Sequence, residues 1–573
     1  MPEQRPGNSA SQRETWKKPG QEATGAKHWV QVSRRLLATD LVPAAPMLEG
    51  GNIQADSQQA DTFRWQWEQR VNSFIMRHEP EVQRTLEILP GALTWALILI
   101  PLFLARWAPV VPVLLAVLYQ FYWLYRGGAM LIYGTVGYAR LRAHACLDWQ
   151  ASYEAERAAG RQVLPWEEIR HLVIIPNCGE PIAKLRATLE ALARQRAVAS
   201  HIWVVLAMEA REEGAAEKAR ILQQEFRNRL GAVLYTLHPA DLPGEIIGKA
   251  ANEAWAARWA RRHFVDRLGY DIRYITVTSC DADSVFPPNY FACLTSKFAT
   301  DPERYDRFWQ APLFYHNNVW QVPAFIRFIT LFGSIWQLAS LTDPRANPYP
   351  SSTYSTSLVL LDSVGYWDPD DITEDWHIFC KCFFRRHGRV RLVPIYLPIS
   401  GDAPQSYTLL RTAINRYEQA KRHAWQISEL PYIVKAYFQH PEIAAGHKLR
   451  HIWTLIREHL LWSTSCFVIS LDFAVPALLN PTWVTSQLGL ALHHIYTLIG
   501  GIATALSPVA LAIDLLLRPP RPPERKWWHD VCSCLQWALL PLIILLFIGL
   551  PSLDAQTRLM GGEKLTYRVT EKV

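Results

Sequence analysis

Residues 274–284 read YITVTSCDADS, a β-rich apolar run that ends in two aspartates two positions apart, Asp281 and Asp283. The run 274–278 alternates β-branched and aromatic residues over a length that suits a buried strand. Two carboxylates at the end of such a strand cannot both enter an apolar core, because burying an unpaired anion is costly. A solvated turn would accept them. A divalent cation would hold them, and hard oxygen ligands suit Mg²⁺ or Mn²⁺ bridging to the phosphates of a substrate.

Working outward, the region 162–401 alternates short β-rich runs with helical ones. HLVIIP (171–176), IWVVLA (202–207) and 232–237 read as further buried strands, and 182–195 and 215–230 as amphipathic helices between them. Alternation of this kind predicts an α/β domain, a Rossmann-like and mostly parallel sheet with helices on both faces. Ligands of such sheets bind at the carboxyl ends of the strands, where Asp281 and Asp283 lie.

Both flanks are apolar. Residues 88–105 and 108–124 each match one bilayer crossing of about 20 residues, separated by Arg106, and read as a helical hairpin. Arg70, Arg77 and Arg84 precede it and Arg126, Arg140 and Arg142 follow it, which places both ends in the cytoplasm. Tyr119, Phe121, Tyr122, Trp123 and Tyr125 form an aromatic belt at its end. Past residue 450, 460–479 makes another crossing and 532–550, with Pro541 inside, a last one. Between them 487–517 is about 46 Å of helix, long for one crossing and short for two. Gly500 and Gly501 near its middle offer a tight hairpin. The run 518–526, rich in Pro and Arg, is cytoplasmic by charge. The expected divisions are a polar cytoplasmic region over 1–85, the hairpin over 86–126, a cytoplasmic catalytic domain over 127–450 with its core at 165–430, a membrane region over 451–553, and a tail over 554–573.

Composition narrows the function. The 573 residues carry 59 basic and 52 acidic side chains, a net charge of +7 without a dense basic stripe, which argues against nucleic acid and for an anionic lipid surface. The nine cysteines include Cys380/Cys382 and Cys532/Cys534, spaced as C-x-C. Such pairs are weak metal signals, and thiols of a reducing compartment fit better than a disulfide framework. No signal peptide, Walker loop or H-E-x-x-H stands out, and the first 60 residues read as a loose polar tail.

The remaining motifs carry a resemblance. The strand 173–176 leads into Asn177-Cys178-Gly179-Glu180. Ile247-Gly248-Lys249-Ala250-Ala251-Asn252 holds a lysine ahead of a helix. Gln310-Ala311-Pro312 and Asn317 precede a helix bearing Trp320, Phe325, Phe328, Phe332 and Trp336, a pattern that suits the membrane surface. Thr373-Glu374-Asp375-Trp376 follows 94 residues after Asp281. This series resembles the membrane-bound, inverting family 2 glycosyltransferases of cellulose-synthase type, whose catalytic domain has the GT-A fold, with a mixed sheet, inserted between transmembrane helices. The resemblance implies a UDP- or GDP-sugar donor, Mg²⁺ or Mn²⁺ held by Asp281 and Asp283, and donor contacts from Glu180, Lys249 and Glu209, the last standing in for an aspartate. It implies that Asp375 is the general base. A sugar hydroxyl is a poor nucleophile, and a positioned carboxylate takes its proton as attack proceeds.

In Arg416 to Trp425, Gln419 and Arg422 keep the spacing of the family's Q-x-x-R-W, but Trp425 falls three residues after the arginine instead of next to it. The resemblance gives Gln419, Trp425, Glu374 and Trp376 to the acceptor and Arg422 to the diphosphate; the shifted tryptophan argues against processivity. The tail Tyr567-Arg568-Val569-Thr570-Glu571-Lys572 is similar to the F-x-V-T-x-K segment that closes over the nucleotide, which implies donor contacts from Thr570 and Lys572. That role needs a cytoplasmic tail. Either 487–517 is a hairpin, or 532–550 is re-entrant near Pro541. The expected product is a cell-envelope glycan made at the cytoplasmic face of the inner membrane, from a glycan or lipid acceptor. Single addition to a membrane lipid, or a transport or scaffold role on a degenerate transferase fold, are the alternatives.

Overall fold

The computed structural model describes residues 54–520, 522–523, 540–565 and 570–572. Its centre is a seven-stranded sheet built from β1 (Arg170–Asn177), β2 (Ile202–Glu209), β3 (Ala232–His238), β4 (Ile275–Ser279), β5 (Arg307–Gln310), β7 (Tyr354–Ser357) and β8 (Arg391–Pro394), in the order β3-β2-β1-β4-β7-β5-β8. A two-stranded pair, β6 (Leu313–Phe314) and β9 (Ile399–Ser400), stands beside it. Strands β1 to β4 are mutually parallel. They are the apolar runs read from the sequence: all eight residues of β2 are buried, as are Val173, Ile174 and Ile175 of β1.

The sheet is mixed, as the GT-A resemblance implies, and four of its six pairings are parallel. β7 is antiparallel to both β4 and β5. Its sequence, YSTS, has no apolar pattern to read. It is held by pairing such as the Thr278–Ser355 hydroxyl contact of 2.8 Å. Register fixes the site: Asn177 pairs with Met208, Glu209 with His238, and Ile174 with Ser279. The carboxyl ends of the four parallel strands therefore line up along one rim, directly before Asp281.

Among the described residues, six helices are long and apolar enough to cross a membrane. In chain order these and the helices that shape the site are α1 (Glu79–Leu104), α2 (Val110–Cys146), α3 (Lys249–Arg261), α4 (Ala324–Thr342), α5 (Glu374–Arg385), α6 (Leu409–Ala424), α7 (Ala445–Leu479), α8 (Gln487–Leu517) and α9 (Leu540–Gly561, with a π-turn at Leu545–Gly549). α2 runs well beyond the apolar stretch 108–124 and enters the catalytic domain, where Arg140 donates to the Tyr396 hydroxyl at 2.7 Å. More of α4 is buried in protein than of any other of the six. Its Phe328 and Ile329 meet Ile543 and Phe547 of α9, while Ile335 and Ala339 meet Met130 of α2 and Ala510 and Ile513 of α8.

The hairpin expected within 487–517 does not form. α8 is one helix through Gly500 and Gly501. Each glycine weakens a helix by only about 1 kcal/mol, and in an apolar setting every backbone group broken out of the helix needs a new partner. Leu517 at its end packs with Leu141, Phe314, Leu338 and Tyr396, so α8 returns to the side of the catalytic sheet. α9 then packs on α6, where Asp554 meets Tyr417 and Lys421 at 3.4 Å each, and on α4, where Phe547 stacks on Phe325 at 5.0 Å. Its far end is capped by Arg84, which donates to the carbonyl of Leu559 at 2.9 Å. Residues 521 and 524–526 of the 518–526 run, the 532–539 stretch with Cys532 and Cys534, and Tyr567 to Val569 lie outside the described residues. Cys380 and Cys382 are buried in the main hydrophobic core, and the seven described cysteines are free.

Candidate active site

A cavity of about 1130 Å³ opens over the strand ends, and Glu180, Glu209, Lys249, Asp281, Asp283, Glu374, Asp375, Trp376, Gln419, Arg422, Thr570 and Lys572 all line it. Of the side chains singled out from the sequence, Trp425 is the exception: it is 6% exposed and packs in the core with Ala424, Ile427 and Leu430. On α6 the arginine faces the cavity, and the tryptophan that begins the next turn faces the core. Tryptophan suits either setting, so its presence in the sequence did not fix its direction.

Lys249 begins α3 and gathers three carboxylates: Asp281 at 3.1 Å, Glu374 at 3.4 Å and Glu253 at 3.8 Å. Burial opposes its charge, but these acids outweigh burial and hold its ammonium well above the ordinary lysine value. Glu253 lies beneath, fully buried, accepting from Ser279 at 2.6 Å. Burial pushes its carboxyl up to about 8 despite Lys249. Asp281 goes the other way. Burial would raise it, yet Lys249, Lys572 and the Ser352 hydroxyl hold it below the usual carboxylate range.

Asp283 is 7% exposed. One of its oxygens accepts from the Asp402 amide at 2.7 Å and from the Lys572 ammonium at 2.7 Å. The end of the chain is strapped over the site: Glu571 exchanges two hydrogen bonds with the Asn415 side chain, and the Lys572 carbonyl accepts from Lys184. Asn317 donates to the Asp283 carbonyl and to Asp402, both at 2.9 Å. An ammonium therefore sits where the acidic pair would hold a cation. Two carboxylates with a positive charge drawn onto them are a donor set that fits Mg²⁺ or Mn²⁺.

Asp375 stands in the first turn of α5, accepting from the backbone amides of Ser352 at 3.3 Å and Trp376 at 3.0 Å. Burial first, then the neighbouring Glu374, push its carboxyl up to about 7, against the pull of Lys249. Trp376 stacks on Tyr349 with ring centroids 4.4 Å apart.

Glu180 accepts from the Cys178 amide at 2.8 Å, in a turn where Gly179 takes φ 90°, a left-handed conformation that favours glycine. Burial raises its carboxyl. Burial also raises Glu209, with His238 and Arg211, each 3.5 Å away, pulling the other way. Gln419 accepts from Arg416 at 2.8 Å.

Sequence reasoning missed the support beneath Asp375. His377 is bonded through Nδ1 to Glu429 at 2.9 Å and through Nε2 to Asp368 at 2.8 Å, and Thr373 donates to Glu429 at 2.7 Å. Burial opposes a charged imidazole, but these carboxylates keep it protonated well above its ordinary value. The network ties the start of α5 to the segment that follows α6. The one trace of it in the sequence is the density of acids over 368–375. Ser352 and Asp402 left no signal, since each is an ordinary loop residue until the fold brings it to the rim.

Residues 276–550 match the family model described as Glycosyl transferase family group 2. No curated protein matches the chain. Among solved structures, the mannosyltransferase PcManGT from Pyrobaculum calidifontis in complex with GDP-Man and Mn²⁺ is similar at 16% identity over 69% of this chain and 98% of that one, with a TM-score of 0.37. S. aureus TarS 1–349 in complex with UDP-GlcNAc is similar at 12% identity over 57% of this chain and 88% of that one, with a TM-score of 0.32.

Proposed function

We propose, for a chain whose residues 276–550 are those of a family group 2 glycosyl transferase, that this glycosyltransferase is an inverting, metal-dependent enzyme working at the cytoplasmic face of a membrane. The observation that carries the reading is the convergence of Asp281, Asp283, Lys249 and Asp375 on one cavity at the strand rim. The donor is a UDP- or GDP-sugar. Glu180 and Glu209 line the nucleotide's place. Lys249 and Arg422 face its diphosphate. Asp281 and Asp283 would hold Mg²⁺ or Mn²⁺, which when bound takes up negative charge on the departing diphosphate. Asp375 accepts the proton of an acceptor hydroxyl as that oxygen attacks the anomeric carbon. The bond to the nucleoside diphosphate breaks in the same displacement, so the configuration inverts.

A screen of nucleotide sugars with Mg²⁺ or Mn²⁺, reading released diphosphate, tests this. Turnover of one donor is the expected result, and none with any donor in either metal overturns it. Two readings of the product remain: a growing cell-envelope glycan, or a single sugar placed on a membrane lipid. The burial of Trp425 favours single addition, since it takes one of the two tryptophans expected to hold the acceptor out of the cavity. A product ladder on a gel would decide for the polymer. A degenerate scaffold is disfavoured by the intact set of costly acids.

The tail adds a prediction. Lys572 competes with the cation for Asp283 before the donor arrives, then pairs with the donor's diphosphate. Lys572→Met should lower the Mn²⁺ concentration for half-maximal activity about fivefold, from an ion pair worth roughly 1 kcal/mol, and raise the donor KM. An unchanged metal midpoint in a Mn²⁺ titration refutes the competition.

A further inference from the structure

We propose that the membrane end of the cavity binds an anionic group carried by the acceptor, a phosphate or a carboxylate; this rests on the glycosyltransferase reading above. The cavity that holds Asp281 and Asp375 continues between α2, α4 and α7, where Arg126, Trp336, Arg457, Glu458 and Trp462 line it. Arg126 and Arg457 both donate to the same oxygen of Glu458, at 3.0 and 2.7 Å. Two guanidinium groups thus share one carboxylate, and the cluster keeps a net positive charge. Its donors also exceed its acceptors. The Nε of Arg457 has no hydrogen-bond partner, nor has the hydroxyl of Tyr122, which lies within Coulomb reach of Arg126, Arg457 and Glu458.

Two partly buried guanidinium groups on one carboxylate leave positive charge uncompensated at the cavity wall, which a ligand of opposite charge would balance. A neutral glycan would use the aromatic walls and leave these donors idle. An anion supplies the acceptor atoms they lack, and guanidinium groups suit phosphate and carboxylate geometry. Arg126 also lies over the Trp336 ring at 4.7 Å, which covers one face that a sugar ring would stack on. The acceptor would then present its sugar hydroxyl toward Asp375 and its anion toward Arg126 and Arg457.

The test uses the full chain in phosphatidylcholine nanodiscs with three probes of equal chain length: dodecyl phosphate, a dodecyl glucuronide and neutral dodecyl glucoside. Binding is read by native mass spectrometry, and stimulation of diphosphate release by the donor screen. Both anionic probes should bind about tenfold more tightly than the neutral one, the span of one charge-assisted hydrogen bond. Arg126→Gln and Arg457→Gln should each erase most of that preference. Glu458→Gln, which frees both guanidinium groups, should enlarge it, and this guards against a variant that merely misfolds. Preference for phosphate alone assigns a phosphorylated acceptor, and for the glucuronide alone an acidic glycan. Equal binding of charged and neutral probes, or a preference that survives both arginine substitutions, overturns the site. Anion binding without turnover of any nucleotide sugar would instead sink the proposed function and leave the anion site standing.

Discussion

Asp375→Asn is expected to reduce sugar transfer by roughly 10²- to 10⁴-fold, the usual contribution of a positioned general base, while the nucleotide sugar still binds. The side chain keeps its shape and loses the proton acceptor. Its carboxyl, raised to about 7 by burial and by Glu374, also sets a pH signature. The base works only when unprotonated, so wild-type activity should climb as pH rises through about 7 and be about tenfold lower one unit below. The residual activity of the variant should lack that limb. Stability runs the opposite way. Between the ordinary carboxyl value of 3.8 and about 7, the folded state keeps a proton that the unfolded chain has lost. Stability from this group is thus complete below 3.8 and lost as pH rises through 7. Asn escapes that loss, so at pH 8 the variant should melt no lower than wild type. Glu374 is the competing base, but it is engaged by Lys249 at 3.4 Å, and Glu374→Gln should cost less. Retained turnover in Asp375→Asn, or a wild-type pH profile flat from 6 to 8, would remove Asp375 from the role.

Asp281 and Asp283 stood out because charge in an apolar context has few explanations, whereas Lys249 and Asp375 stood out only through the motifs they share with the family. A strand such as YITVT cannot end in two carboxylates at no cost, and the fold answers with a rim, a lysine and a cavity. The four parallel strands were legible for the same reason, since their burial is written in their composition. β7 was not, because its polar sequence is held by pairing with β4 and β5 and by side-chain hydroxyls. Nor was the support from His377 and Glu429, which are 52 residues apart and meet only in the fold. Trp425 shows the limit of motif spacing. Its distance from Arg422 was readable, yet only the packing of α6 on the core decided that it faces away from the cavity. In α8, two glycines suggested a turn that the apolar surroundings of the helix do not allow.

Lys249→Met should be the most damaging single change away from the proposed base. The ammonium is the common partner of Asp281, Glu253 and Glu374, and its side chain is only 8% exposed. Removing one partner of a buried ionic cluster costs about 3–5 kcal/mol, because the acids left behind have neither water nor counter-charge. Glu253 softens the loss: its carboxyl, already near 8, simply keeps its proton at neutral pH. Asp281 and Glu374 have no such exit if they are to stay ionised. The lysine's own value is raised in the folded state, so its stabilisation is fully present below the ordinary lysine range and absent only at extreme alkaline pH. The variant should therefore lose stability across the whole neutral window, and more steeply as pH rises and Glu253 is forced to ionise. Mn²⁺ offers a replacement charge. If Asp281 and Asp283 hold the cation, Mn²⁺ should raise the melting temperature of Lys249→Met more than that of wild type. Transfer should not return with it, because the diphosphate has lost its ammonium partner. Thermal denaturation of the detergent-solubilised protein with and without Mn²⁺ measures both effects. Wild-type stability in the variant would show that the three acids are not held by Lys249, and an absence of any Mn²⁺ shift would detach the cation from Asp281 and Asp283.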